Sequence, residues 1–140
     1  DYTVWGNLGA ARGWSGDRAG ALQAYRRAVE LGEAERELNP HDPVLLVDLA
    51  EYYASLDQQE KSLPLLRRAL QLAPNDATVL YQAAVFHESR LQQRGEALRL
   101  LAQAVENGYS WEEIERTPVL RALRDDPRYA RLRARHQSNP

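Results

Sequence analysis

The stretch that decides the fold runs from Pro43 to Pro74 and reads PVLLVDLAEYYASLDQQEKSLPLLRRALQLAP. Each half carries apolar or small residues three or four positions apart, the spacing that places side chains on one face of an α-helix. The halves are therefore predicted to be two amphipathic helices. Segment 55–59 between them is long enough only for a tight turn, so the helices should lie antiparallel. The pattern is carried by Leu46, Leu49, Ala50 and Tyr53, then by Ser62, Leu66, Ala69 and Leu70.

The same two-helix pattern recurs on both sides of this stretch. One helix pair cannot bury both of its apolar faces, and stacked copies provide the missing cover. The sequence thus predicts an all-α protein, a right-handed solenoid of antiparallel helix pairs with short C-terminal capping helices. All 140 residues should form one domain. The repeats are expected at about 2–40, 43–74 and 77–107, and the capping region at about 110–135.

The second helix of the first copy is predicted to be the longest, from about Arg18 to Leu38. Its apolar period continues until an Asn-Pro pair at 39–40, which cannot prolong a helix. Ala28 and Ala69 hold equivalent positions yet stand 41 residues apart, against roughly 34 in a regular repeat. The extra residues add about two helical turns. After these turns the apolar face points in nearly the same direction as before them. The extra turns would present an apolar edge formed by Leu31, Ala34 and Leu38.

Three glycines, Gly6, Gly9 and Gly13, lie on one face of the first predicted helix. A face without side chains lets another part of the chain come close, and we expect a neighbouring backbone to pack there. A phosphate-binding loop is not indicated, because the glycines follow no predicted strand and form no G-x-G-x-x-G motif.

After Gly108 the repeat pattern stops, and three short helices are expected. The first opens with a capping box at 110–113, the second with Thr-Pro at 117–118 and the third with Asp-Pro at 126–127. The open end of a solenoid needs such a cover. The large side chains that should seal the last repeat are Trp111, Leu120, Leu123, Tyr129 and Leu132.

The composition excludes several classes of function. Without cysteine the chain has no disulfide, thiolate metal site or cysteine nucleophile. The absence of cysteine does not decide whether the protein is located in the cytoplasm or in the periplasm. The net charge of −2 gives no general attraction to nucleic acid. No apolar run reaches the roughly 18 residues of a membrane span, and no signal segment is evident. Because the sequence starts at Asp1 within a helical pattern, we expect a fragment of a longer protein.

Neither a metal site nor a catalytic constellation is indicated. His41, His87 and His136 have no second histidine or carboxylate at ligand spacing, and His87-Glu88 lacks the remainder of an H-E-x-x-H motif. No serine stands in a G-x-S-x-G elbow. We therefore expect no enzymatic activity, no metal and no cofactor.

The three copies share residues of similar size at equivalent positions. The pattern resembles the tetratricopeptide repeat over about residues 2–106. The string from Asn107 to Tyr129 looks like the C-terminal tails of bacterial multidomain signalling proteins, mainly serine/threonine kinases and adenylyl cyclases. The resemblance implies a protein-binding module that regulates or scaffolds a larger protein. The matching residues are Trp5, Leu8, Gly9, Gly16, Asp17, Ala21, Tyr25 and Ala28 in the first copy, Leu46, Leu49, Ala50, Tyr53, Ala69 and Pro74 in the second, and Leu80, Ala84, Ala97 and Ala104 in the third.

The resemblance also implies a concave peptide-binding groove lined by the first helix of each copy. Its small and apolar lining favours an apolar peptide or helix with a basic group near Glu51. The alternative is a groove already filled by a neighbouring element. The lining positions are Gly6, Ala10, Val47, Glu51, Tyr81 and Val85, flanked by Trp14, Val44 and Thr78.

A second candidate site is a basic face on the last helix, formed by Arg128, Arg131 and Arg135 opposite Tyr129 and Leu132. It could contact phosphate or nucleic acid. The simpler interpretation is a solvated face or a contact to another domain, because no aromatic residue interleaves the arginines.

Two functions remain open at this point. The first is a module that binds another protein or a peptide. The second is a scaffold for homo-oligomers, in which an N-terminal neighbour or the extension of the second helix docks on another copy.

Overall fold

A computed structural model describes residues 1–137, and within that range the secondary structure is helical without a strand. The predicted all-α class is confirmed. The α-helices are α1 Tyr2–Trp14, α2 Arg18–Leu38, α3 Pro43–Ser55, α4 Gln59–Leu72, α5 Ala77–Ser89, α6 Arg94–Glu106, α7 Trp111–Arg116, α8 Arg121–Arg124 and α9 Pro127–Gln137, with a 3-10 turn at Pro118–Leu120 before α8.

The chain divides into two compact units, of which the first is Asp1–Ala73 and the second begins at Pro74. In the first unit each helix packs on the next one along the chain, α1 on α2, α2 on α3 and α3 on α4. Asp17 and Asp42 cap the N-termini of α2 and α3 by accepting backbone N–H groups, as Ser, Thr, Asp and Asn do at many helix starts. In the core between α3 and α4, the fully buried Ser62 hydroxyl donates to the carbonyl oxygen of Ala50 at 2.6 Å.

Helix α2 is the longest helix of the described chain, with 21 residues from Arg18 to Leu38, as predicted. Its last turns are fixed to α3 at Glu33, whose carboxylate accepts the Tyr53 hydroxyl at 2.6 Å. Gly32, the residue before Glu33, is buried against the side chain of Leu49. Beyond it the helix continues into solvent, and Leu38 is 78% exposed.

The three helix hairpins turn at equivalent positions. Each connection contains one residue with positive φ: Gly16 at 87°, Asp57 at 59° and Gln92 at 50°. These residues are 41 and 35 positions apart, the same separations that relate three buried alanines of the helices. The connection of the third hairpin is one residue longer than the others, which accounts for the step of 35. The alanines are Ala28, Ala69 and Ala104.

The glycine face of α1 packs against aromatic rings, and the expectation of a close backbone neighbour is wrong. A methyl group at Gly6 would lie 2.5 Å from ring carbon Cε1 of Tyr52. At Gly9 it would lie 2.8 Å from the ring of Tyr25. A methyl group at Gly13 would have no neighbouring atom nearer than the Cβ of Ala21, at 4.0 Å. Two of the three glycines therefore make room for tyrosines, while the third is exposed.

In the second unit, α5 packs on α6 and the C-terminal segments cover this pair. The 3-10 turn touches α5, and α9 touches α6. Of the predicted sealing residues, four are buried and Trp111 is half-buried, with its ring edge-on to Tyr129. Ile114 is also fully buried, and the sequence interpretation missed it. The four buried sealing residues are Leu120, Leu123, Tyr129 and Leu132.

Arg124 ties the capping segments together. Its guanidinium nitrogen Nη1 donates to the carbonyl oxygens of Ile114 at 2.8 Å and Thr117 at 2.7 Å. These carbonyls lie at the C-terminal end of α7, whose cap residue is Thr117, and the Ile114 carbonyl also accepts the backbone N–H of Thr117 at 3.3 Å. A cation at this position also interacts favourably with the negative end of the helix dipole.

Candidate docking groove

A groove runs between α6 and α9 within the second unit. The Arg128 guanidinium lies over Gly95 at the start of α6. At the other end, His136 Nε2 is 3.6 Å from Glu106 Oε1. The two helices therefore run side by side in the same direction. We call the space between them the α6–α9 groove.

The α6–α9 groove is open and has a volume of about 900 Å³. Its floor is apolar and its rim is basic, a combination suited to an amphipathic ligand. The floor is formed by Leu98, Ala102 and Leu132, and the rim carries Arg99, Arg128, Arg131 and Arg135 with Gln103 and Glu106.

The rim arginines differ in their ion pairs. Arg128 is bound by Asp126 at 3.0 Å and Arg99 forms an ion pair with Glu96. Arg131 is exposed and makes no ion pair with any residue that the structure describes. Its guanidinium is thus available for a carboxylate or phosphate of a ligand.

The N-terminal end of α9 is held in place by charges. Asp126 accepts the backbone N–H of Arg128 at 2.9 Å and also lies 3.6 Å from Arg94. Arg94 in turn pairs with Glu88 at 2.8 Å. Hydrogen bonds from the side chain and backbone of Arg128 lower the pKa of Asp126 to about 2. The carboxylate therefore stays charged and fixes α9 beside α6.

The predicted basic face lies on this groove, with one correction. Arg128, Arg131 and Arg135 all line it, as the helical spacing requires. The expectation that they lie opposite Leu132 is wrong, because Leu132 lines the same groove. Leu132 follows Arg128 by one helical turn and reaches the floor that the arginines border.

The positions expected to line a concave groove in the first unit differ widely in exposure. Val47 is buried at 4% exposure and offers almost no surface to a ligand. Trp14 is 83% exposed and Val44 41% exposed. Glu51 is half-buried, Ala10 is exposed and Gly6 is covered by a tyrosine.

In the second unit, the chain itself occupies one of these positions. The ring of Tyr81 stacks on Tyr109 with centroids 4.1 Å apart, and its hydroxyl hydrogen-bonds with Thr117 Oγ1 at 2.6 Å. Thr78 is exposed and Val85 half-buried. The neighbours of Tyr81 at this position therefore come from the segment after α6.

Sequence interpretation also missed a carboxyl group among tyrosines in the first unit. Burial raises the pKa of Asp48 to about 6, while a hydrogen bond from Tyr2 lowers it. The nearby charges of Asp42 and Glu51 add to the rise. Burial also raises the pKa of Tyr2 to about 12. The sequence signal was an acidic residue between apolar neighbours, Val47 and Leu49, in a helix that is mostly apolar.

The raised pKa of Asp48 predicts a change of stability with pH. The folded chain binds a proton at this carboxyl more tightly than the unfolded chain, where an aspartate titrates near pH 4. Its contribution to the free energy of unfolding should therefore fall as the pH rises from about 4 to about 6. We expect Asp48→Asn to be more stable than the wild type above pH 6, with a smaller difference at pH 4.

Urea unfolding at a series of pH values measures this difference. Asp125→Asn removes an exposed carboxyl and is the control, for which the difference from the wild type should stay small. An Asp48→Asn variant that loses stability at pH 7 contradicts the prediction.

Comparison with known proteins adds no assignment, since neither a protein-family model nor a curated protein matches the sequence. Among residues 1–137, no group of histidine and carboxylate side chains is placed to hold a metal ion. No helix in that range is long and apolar enough to cross a membrane.

Proposed function

We propose that this chain is a protein-docking module that binds an acidic, amphipathic helix of its partner in the α6–α9 groove. The observation that carries the proposal is an apolar floor bordered by arginines, one of which, Arg131, has no ion-pair partner in the described chain. Apolar residues of the ligand would gain free energy by burial on the floor. Its carboxylates would pair with the rim and set orientation and association rate.

The shape of the groove favours a helical peptide over nucleic acid. A nucleic-acid site needs a track of cations, usually with aromatic rings that stack on bases. Here no aromatic residue lines the groove, and Glu106 places a negative charge at one end. Two helices that run side by side offer instead the kind of apolar groove in which amphipathic helices bind.

The wider context is also part of the proposal. The three hairpins with equivalent turns support an assignment as tetratricopeptide-type repeats stacked in a right-handed solenoid. In that assignment the chain is a regulatory or scaffolding part of a larger bacterial signalling protein and binds without catalysis. The α6–α9 groove is a better docking site than the first-helix positions, because Val47 and Tyr81 are covered.

Fluorescence anisotropy with a designed peptide tests the proposed site. The probe is a labelled helical peptide of about 16 residues with leucines on one face and glutamates beside them. We expect Arg131→Glu to weaken binding by about tenfold or more, because it places like charges together. Arg121→Glu, an exposed arginine away from the groove, is the matched control and should change binding by less than about twofold.

Three results would contradict the proposal. They are no measurable binding of the probe, an equal loss in both variants, or binding unaffected by Ala102→Asp on the groove floor. A single-stranded RNA probe that binds the wild type but not Arg131→Glu, while the peptide does not bind, would indicate a nucleic-acid contact instead.

A further inference from the structure

The last two turns of α2, residues 31–38, form an apolar edge flanked by acidic side chains, which we call the α2 end. Leu38 is 78% exposed, Ala34 is exposed and Leu31 is half-buried. With Tyr2 and Glu35 they line a shallow notch of about 510 Å³. The three apolar residues follow the i, i+3, i+7 spacing by which helices dock into grooves.

Of the three acidic residues of the α2 end, Glu33 forms an ion pair with Arg36 at 3.1 Å, and the other two form no ion pair with any described residue. Glu37 is exposed and makes no ion pair with any residue in the described part of the chain. Glu35 accepts a hydrogen bond from the uncharged amide of Asn39 at 2.8 Å and forms no ion pair within residues 1–137. The α2 end therefore carries accessible negative charge beside its apolar edge.

The α2 end matches the α6–α9 groove in chemistry and length. One is apolar with acidic flanks, and the other has an apolar floor with an arginine rim. The apolar edge spans seven residue steps, about 10 Å of helix, and the α6 side of the groove spans eleven steps, about 17 Å. The charges are also unevenly distributed along the sequence. Residues 116–140 contain seven Arg and two Asp, so the remainder of this chain of net charge −2 is acidic.

We infer that the α6–α9 groove of one copy of this chain binds the α2 end of a second copy. The inference rests on the proposed function of the groove and names its occupant. Leu38 and Ala34 of one copy contact the floor of the other at Ala102 and Leu132. Glu35 and Glu37 pair with the rim, above all with Arg131.

This interface is heterologous, since two different surfaces meet. In a dimer one copy keeps an unused groove and the other keeps an unused α2 end, so association continues into rings or open chains. The contact is a single helix edge, which is small by the standard of stable dimers and makes the association weak and concentration-dependent. Because exposed charges guide it, added salt weakens it.

Sedimentation velocity of the full chain across a concentration series tests the inference. We expect the average mass of the wild type to rise with concentration at low salt. Leu38→Lys removes the apolar anchor and adds a positive charge among the acidic residues, and Arg131→Glu places a negative charge on the rim, so each variant alone should be monomeric. The controls are Val4→Lys, at another exposed apolar residue, and Arg121→Glu, and both should associate like the wild type.

Mixing the two interface variants provides a sharper test. Leu38→Lys retains an intact groove and Arg131→Glu retains an intact α2 end, so a mixture can form one productive interface. We expect the mixture to form dimers and no larger species. A peptide of residues 29–40 should compete, and its Glu37→Lys form should compete at least about tenfold less well.

The outcomes separate this inference from the proposed function. A wild type that is monomeric at every concentration, while the designed acidic peptide still binds the groove, overturns the inference and leaves the docking function intact. Association that survives in both interface variants also overturns it. If neither the designed acidic peptide nor the peptide of residues 29–40 binds, the result contradicts the proposed function as well.

Discussion

Replacing Leu123 by alanine is expected to lower the free energy of unfolding by about 2 to 5 kcal/mol, as for other buried leucines. Leu123 is fully buried in α8, a helix of four residues between the 3-10 turn and α9. So short a helix has no stability of its own and depends on tertiary packing. A cavity at Leu123 should therefore loosen the contacts that the C-terminal segments make with α5 and α6.

Val119→Ala is the matched control for this substitution. Val119 lies in the adjoining 3-10 turn but is 44% exposed, so its loss should change stability by less than about 0.5 kcal/mol. Urea unfolding followed by far-ultraviolet circular dichroism gives both values. A chain that ends at Tyr109 should be destabilised further, and equal melting of the truncated and full chains would show that the cap contributes nothing.

The second large effect is expected at the glycines of α1. Replacing glycine by alanine should lower the free energy of unfolding at one position and raise it at another. Gly6→Ala inserts a methyl group against the buried ring of Tyr52, and the overpacking outweighs the better helix propensity of alanine. We expect a net loss of about 1 to 2 kcal/mol. Gly13→Ala meets no atom nearer than 4.0 Å and should gain about 0.5 to 1 kcal/mol.

The comparison of the two alanine variants isolates packing from propensity, because both sites lie within α1. Thermal unfolding of the two variants and the wild type shows whether each substitution raises or lowers the stability. If Gly6→Ala were as stabilising as Gly13→Ala, the ring of Tyr52 would not be packed tightly against Gly6.

The helices could be predicted closely because their signals are local. The end of α2 at Leu38 follows from an apolar period that continues past the usual length and from an Asn-Pro pair that stops it. The extra residue in the third hairpin follows from counting between equivalent alanines. The same local reasoning predicted which residues of the C-terminal segments would be buried, since large apolar side chains in short helices need cover.

The candidate site was less accessible to sequence reasoning. Helical spacing placed three arginines on one face of α9 but could not show that α6 lies beside them, because that pairing depends on tertiary contacts. The stacking of Tyr109 on Tyr81 was missed for the same reason. The glycines of α1 indicated free space, but a missing side chain does not identify the neighbour that fills it.

The order of helix contacts has a consequence for how the chain folds. The main packing partners are consecutive helices joined by short turns, so the loops that must close are short. Closing a short loop costs little conformational entropy before the contacts of the hairpin form. Chains dominated by such local contacts fold in microseconds to milliseconds. Each hairpin can thus begin to form as soon as its second helix has left the ribosome, without waiting for the rest of the sequence.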